Sequence, residues 1–164
     1  MKKVLSSIFV NFLVVVLCGS ILTNRDIKNI NAQIYYIDHS MLRLIPVDIN
    51  LGKVSKERAA KLMIEKMIEG KDENSKILRV IPDEKDCISV SIDKRTAVVN
   101  FNKSFIKNKP ANKTHGLLMI YSIVNSLTSI DGIDTVKFYV DKKQQKDFIS
   151  GIDMREVFIP DYYM

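Results

Sequence analysis

The sequence predicts an α+β fold: a small mixed or antiparallel sheet with two main helices packed on one face, preceded by a hydrophobic N-terminal segment. Three observations carry this expectation. Two stretches place apolar residues at helical spacing between capping residues, several short stretches alternate apolar with polar residues, and Val4 to Leu22 is almost wholly apolar. Of the 164 residues, roughly two dozen form the N-terminal segment and about 140 remain, the size of one domain. A content of 46% hydrophobic and 27% charged residues, with six Gly and four Pro, suits a packed core and excludes a disordered or low-complexity chain.

Lys2 and Lys3 precede the apolar run, which is broken only by Ser6, Ser7, Asn11, Gly19 and Ser20. At 19 residues, Val4 to Leu22 stands between a cleavable signal and a helix able to cross about 30 Å of hydrocarbon. Either way the positive start stays inside and residue 26 onward is exported. Three fates remain open: an uncleaved signal anchor, a lipoprotein with its lipid on Cys18, or cleavage with Cys18 and Ser20 as the small residues before the cut. Leu17 stands where a lipobox has Gly, Ala or Ser. The expected organisation is a signal peptide or anchor over 1–25, a polar spacer over 26–31 and a single domain over 32–164, on the extracytoplasmic side of the cell membrane.

Ala32 to Asp38 and Met41 to Asp48 are rich in Ile, Tyr and Val around the turn residues Asp38-His39-Ser40, which predicts a hairpin. Ser55 is an N-cap for a helix to Glu69, with Ala59, Leu62, Met63 and Met67 as its apolar stripe and Gly70 as its stop. Ile77 to Ile81 is a short strand ended by Pro82. Ile88, Val90 and Ile92 alternate with polar residues, and Val99 and Phe101 match them across a Lys94-Arg95 turn, leaving a wet face that carries serines and Asn100. Asn102 to Lys113 reads as a loop. A second helix starts at Asn112 or Thr114, presents Leu117, Ile120, Tyr121, Val124 and Leu127 on one face, and ends at Asp131-Gly132. Val136, Phe138 and Val140 alternate in a last strand, and the remainder to Met164 reads as irregular.

Residue chemistry narrows function mainly by exclusion. The formal charge of +6, about +4 without Lys2 and Lys3, is too mild to predict nucleic-acid binding. Two histidines, His39 at a turn and His115 at a helix start, give no metal site and no acid-base pair. Cys87 is the single cysteine after the leader, so the domain has no internal disulfide and the thiol reads as a half-buried apolar residue. Asp83, Glu84 and Asp86 read as a solvated turn, and Asp131 and Asp134 as turn and capping residues. No nucleophile motif, phosphate loop or ligand cluster is present, which predicts no cofactor and no enzyme. One charge cluster stands out: Lys103, Lys107, Lys109 and Lys113, without an acidic residue between them, could meet an anionic partner such as lipid headgroups, a cell-wall polymer or an acidic protein.

Several stretches carry a family resemblance. They are Ile34-Tyr35-Tyr36-Ile37-Asp38 followed by Arg43-Leu44-Ile45-Pro46-Val47, the helix end Met67-Ile68-Glu69-Gly70, and Val80-Ile81-Pro82 before Ile88-Ser89-Val90. Thr96 to Phe101 with Ser104-Phe105, then Ile120 to Thr128 before Gly132 to Val136, complete the series. In order and spacing they resemble the GerMN domain family, known from a spore germination and sporulation protein and from LpqB-type lipoproteins. Arg95 departs from the family, which usually has Gly in that turn. The resemblance implies a ring-building-motif-like α/β domain without catalysis, acting in sporulation or germination through envelope or sporulation-complex proteins, with self-association among the options. A ligand-binding module for a cell-wall polymer or small molecule is the alternative expectation.

Overall fold

The computed structural model describes residues 26–40, 42–70, 77–78, 80–81, 87–107, 110, 112–147 and 151–164. Strands β1 (Lys28–Asp38) and β2 (Leu44–Val54) form an antiparallel hairpin running from Ile37 opposite Leu44 to Lys28 opposite Val54. Its turn is closed by the Asp38 N–H donating to Arg43 O at 3.1 Å and by Ser40 Oγ donating to Asp38 Oδ2 at 2.9 Å. The hairpin is longer than the sequence suggests. Lys28 to Asn31 is strand and not spacer, because Ile30 is buried and pairs with Gly52. The bulge there needs glycine: Gly52 sits at φ +81°, and its N–H donates to Asn50 Oδ1 at 2.8 Å.

Helix α1 (Lys56–Glu69) starts where Ser55 Oγ accepts the Arg58 N–H at 3.3 Å. It ends where Gly70, at φ +67°, donates its N–H to Lys66 O at 3.1 Å. Ala59, Ala60, Met63 and Met67 are fully buried, so the methionines pack the core as the helical spacing predicts. Ser55→Ala is expected to cost about 1 kcal/mol, seen as a lower urea midpoint at unchanged slope.

β3 (Ile77–Leu78) pairs antiparallel with β1, giving a first sheet of order β2-β1-β3. β4 (Cys87–Asp93) and β5 (Thr96–Phe101) form the expected second hairpin, and β6 (Thr135–Val140) joins β5 in parallel to complete a sheet of order β4-β5-β6. The α+β class holds, with strands divided between two sheets instead of one. Between β5 and β6 the chain forms α2 (Lys103–Lys107) and α3 (Lys113–Thr128), a crossover of the kind parallel strands require. The predicted loop over Asn102–Lys113 therefore contains a short helix. Phe105 on α2 explains it: the ring is buried and stacks on Phe101 at 3.8 Å between centroids, with Phe138 next in line at 5.9 Å from Phe101.

Each long helix touches both sheets and the other helix: α1 lies against β4, β1 and β2, and α3 against β1 and β6. Consequently α3 is not one-sided. Leu118, Met119, Ile120, Ile123, Val124 and Leu127 are buried around most of its circumference, as are Ser122, Asn125 and Ser126. Its N-cap is Asn112, whose Oδ1 accepts the His115 N–H at 2.9 Å; His115 Nδ1 lies 3.1 Å from Asn112 Nδ2, so this half-buried histidine belongs to the cap.

The C-terminal segment is ordered packing instead of an irregular remainder. Phe158 bridges β6 at Val136 through two hydrogen bonds of 2.9 Å, Ile152 and Met154 are buried, and Met164 O accepts the Leu44 N–H at 3.1 Å. Asn100 also departs from expectation. It is buried, and its Oδ1 accepts the Lys142 N–H at 2.9 Å, holding a turn in which Asp141 and Lys142 both adopt positive φ.

Candidate interaction surface

The surfaces of the domain are built from the residues the sequence singles out and from those it does not. The first is the flank of β1. Over Gln33 to Tyr35 this strand has no strand partner among the described residues on the side away from β2, yet its backbone is satisfied by hydroxyls of α3 and its C-cap. Ser126 Oγ accepts the Tyr35 N–H at 2.8 Å and donates to Ser122 O at 2.6 Å, while Ser122 Oγ donates to Tyr35 O. Ser129 Oγ accepts the Gln33 N–H at 2.9 Å and lies 2.9 Å from Gln33 O. These serines fall at i, i+4 and i+7 of one helical face. The helix thus closes a sheet edge that would otherwise be open to another strand.

β2 is the outer strand on the other side. Because Tyr35 directs its N–H and C=O toward α3, its partner Pro46 directs its own backbone to the open side, where the missing N–H interrupts any added ladder. Asp48, the bulge at Gly52 and the exposed Lys53 add to this protection.

The face of this hairpin forms a shallow groove of about 680 Å³ lined by Asn31, Gln33, Tyr35, Asp48, Thr128, Ser129 and Tyr162 among others. Its polar groups are engaged with one another: Asn50 Nδ2 donates to Asn31 Oδ1 at 2.6 Å, Gln33 Nε2 to Asp48 Oδ1 at 3.0 Å, and Tyr35 Oη to Gln33 Oε1 at 3.1 Å. Tyr162 covers Tyr35 at 5.7 Å, and burial first, then Tyr162, pushes the Tyr35 phenol above its ordinary range.

The predicted basic cluster divides between α2 and α3. Lys103 and Lys107 stand at the two ends of α2, and Lys103 Nζ lies 3.9 Å from Asp141 Oδ2. Lys113 opens α3 and lies over Gly151. Lys109, Cys18 and the whole N-terminal segment, the turn of Asp83, Glu84 and Asp86, and the Cys87 side chain lie outside the described residues.

A second set of basic residues was not legible as a cluster. Lys28 of β1, Lys53 of β2, Lys56 of α1 and Arg95 of the second hairpin turn line a cleft of about 840 Å³ with Asp26, Ile27, Asp131 and Gly132. Asp131 and Asp134 are ion-pair partners instead of caps. Lys28 pairs with Asp131, Arg95 grips Asp134 through two nitrogens with Nη2 to Oδ1 at 2.6 Å, and Lys56 Nζ donates to Gly132 O at 3.1 Å. Hydrogen bonds from these cations hold both carboxyls below their ordinary values.

Near the C-terminus Arg155 folds back on Asp153, donating Nε to Oδ1 at 2.9 Å and its backbone N–H to the same oxygen at 2.9 Å. The Arg155 side chain first, then that N–H, pull the Asp153 carboxyl down to about 2. A depressed carboxyl contributes stability above its unfolded value near about 4 and loses it as pH falls through the folded value. Asp153→Asn is therefore expected to flatten the melting temperature between about pH 4 and pH 2 while lowering it slightly at neutral pH. The effect is small because the pair is exposed.

Among the described residues no group of three or more His, Cys, Asp or Glu could hold a metal ion, and no helix is long and apolar enough to cross a membrane. Two sheets bridged by two helices, with hydroxyls sealing one edge and proline guarding another, define a small α+β domain whose exposed features are surfaces, grooves and charges. The chain belongs to the Germane family, described as sporulation and spore germination, whose model matches residues 33–146.

Solved structures carry the same fold. The first GerMN domain of the sporulation protein GerM from Bacillus subtilis is similar at a TM-score of 0.59 and 22% identity, over 76% of this chain and 95% of that domain. A candidate lipoprotein from Clostridium perfringens is similar at 0.59 and 19% identity, over 84% and 92% of the two chains. The tandem GerMN domains of the Bacillus subtilis protein match at 0.59 and 21% identity, over 79% of this chain but 46% of theirs, so this chain spans about half of that pair. No curated protein matches the chain.

Proposed function

We propose that this protein is a non-enzymatic domain held at the outer face of the cell membrane by its N-terminal segment, where it binds envelope or sporulation-complex proteins during sporulation or spore germination. The observation that carries the reading is family membership across 33–146, in a family described by those two processes. The likeness to a candidate lipoprotein and to a sporulation protein supports attachment at the envelope. Attachment runs through Val4–Leu22 as an anchor or through a lipid on Cys18. Intact mass of membrane-extracted protein, compared with Cys18→Ser, separates the two.

The partner surface is a face of the domain instead of added strands, because β1 is sealed by serines and β2 interrupts pairing at Pro46. Any self-association uses the same kind of face. Deleting the chain in its host is expected to lower the yield of heat-resistant or germinating spores, and in-cell crosslinking during sporulation to capture a protein partner. Spore yield and germination equal to the parent, with expression confined to vegetative growth, would overturn the reading.

One observation favours a ligand-binding second reading: Lys107 and Lys113 are exposed at one end of the domain, where a cell-wall polymer could reach them. Loss of polymer co-sedimentation on changing Lys103, Lys107, Lys109 and Lys113 to Glu would support it.

A further inference from the structure

The cleft lined by Lys28, Lys53, Lys56 and Arg95 collects residues from the start of β1, the end of β2, the start of α1 and the β4–β5 turn, beside the residues that follow α3. All lie at one end of the domain. It is also the end that the hydrophobic segment leads into: Leu22 closes the apolar run and Asp26 opens the described domain, four residues later. Four residues reach at most about 14 Å when fully extended. A domain anchored through the apolar run must therefore carry this end close to the bilayer surface, and a lipid on Cys18 lengthens the tether only to eight residues, at most about 28 Å.

We propose that this end docks on anionic phospholipid headgroups, the basic side chains meeting lipid phosphates and Ile27 entering the interfacial layer. This rests on the attachment proposed above. Three observations point to a lipid surface. Ile27, 59% exposed, is a large apolar side chain beside a group of cations, the combination that interfacial binding uses. Lys53 is exposed and has no ion-pair partner among the described residues, so its charge is available, while Lys56 donates to the Gly132 carbonyl and adds positive potential beside Asp131 and Asp134. The Lys28–Asp131 and Arg95–Asp134 pairs are exposed at the rim, where ion pairs contribute little and phosphate oxygens can replace a carboxylate.

The geometry also assigns the other lysines. α3 is 16 residues, about 24 Å, and separates Lys113 at its start from Asp131 beyond its end. Lys113 and its neighbours on α2 therefore face away from the bilayer, and of the two basic groups the one at Lys28, Lys53, Lys56 and Arg95 is the lipid-facing one.

The chain has no tryptophan, so a single one reports its own surroundings. The full chain with Ile27→Trp is reconstituted into phosphatidylcholine nanodiscs with and without phosphatidylglycerol, brominated phosphatidylcholine serving as quencher. Leu42→Trp, at a side chain 77% exposed in the opposite hairpin turn, is the distal control. The Ile27→Trp reporter is expected to be blue-shifted and quenched in anionic discs, and the Leu42→Trp control to be neither. Adding Lys53→Glu and Lys56→Glu, with an unchanged melting curve, is expected to cut the docked population by about an order of magnitude or more, as does high salt. Equal quenching in neutral and anionic discs, or quenching unaltered by the charge reversal, would overturn docking and leave a tether alone. Failure of the chain to co-purify with discs overturns the attachment itself, and docking with it.

Discussion

Replacing Ser122 and Ser126 together by alanine is expected to destabilise the domain by about 4 kcal/mol, leaving it close to its folding threshold. Both side chains are fully buried, and between them they satisfy the N–H and the C=O of Tyr35. A buried backbone group stripped of its partner costs about 1–3 kcal/mol, and two are stripped here. Against a total of about 5–15 kcal/mol that loss is large. The measurement is urea unfolding followed by circular dichroism, where the midpoint should fall at an unchanged slope. Ser91→Ala, at an exposed position on β4, should stay within about 0.5 kcal/mol of the parent. Because both serines act on one residue, the single variants should not sum to the double. A double variant within about 1 kcal/mol of the parent would mean that the β1 edge finds other partners, and the sealing role would fall.

This seal marks the boundary of what the sequence reveals. Alternation in Ile88–Ile92 and Val136–Val140, and caps at Ser55 and Asn112, act over a few residues, so strands and helices could be placed from them. A serine inside a helix reads as a solvent-facing residue until something is known to lie against it. The signal was present: apolar residues at Leu117, Leu118, Met119 and Ile120 in succession cover most of a turn, and a helix apolar all round is a buried one. Reading only the best stripe hid the second buried side, and with it Ser122, Asn125 and Ser126. The charges follow the same logic. Lys103, Lys107 and Lys113 are neighbours in sequence on the successive helices α2 and α3, whereas Lys28, Lys53, Lys56 and Arg95 span 68 positions and meet only because four element ends share one pole of the domain. A cluster made by topology has no local trace.

The C-terminal segment shows how one polar residue can hold such a topology shut. Asn125 is fully buried on α3, with Nδ2 donating to Asp161 O at 2.6 Å and Oδ1 accepting the Asp161 N–H at 3.0 Å. No other side chain type offers a donor and an acceptor in that spacing apart from glutamine, which is one methylene longer. Asn125→Leu keeps the branched shape, with somewhat more bulk, but removes both bonds and leaves the Asp161 backbone facing an apolar wall, an expected loss of about 2–3 kcal/mol. The consequence should be local before it is global. Tyr162 would leave Tyr35 and Thr128, and the Phe158 bridge to Val136 would be held by its own two bonds and the ring contacts with Phe138 and Tyr121. Hydrogen exchange should therefore speed most over Asp161–Met164, less at Phe158 and least in α3, and chymotrypsin should clip at Tyr162 or Tyr163 under conditions where the parent resists. Uniform acceleration across all elements would instead make Asn125 an ordinary core residue. Unchanged exchange at Asp161 would remove the clamp altogether.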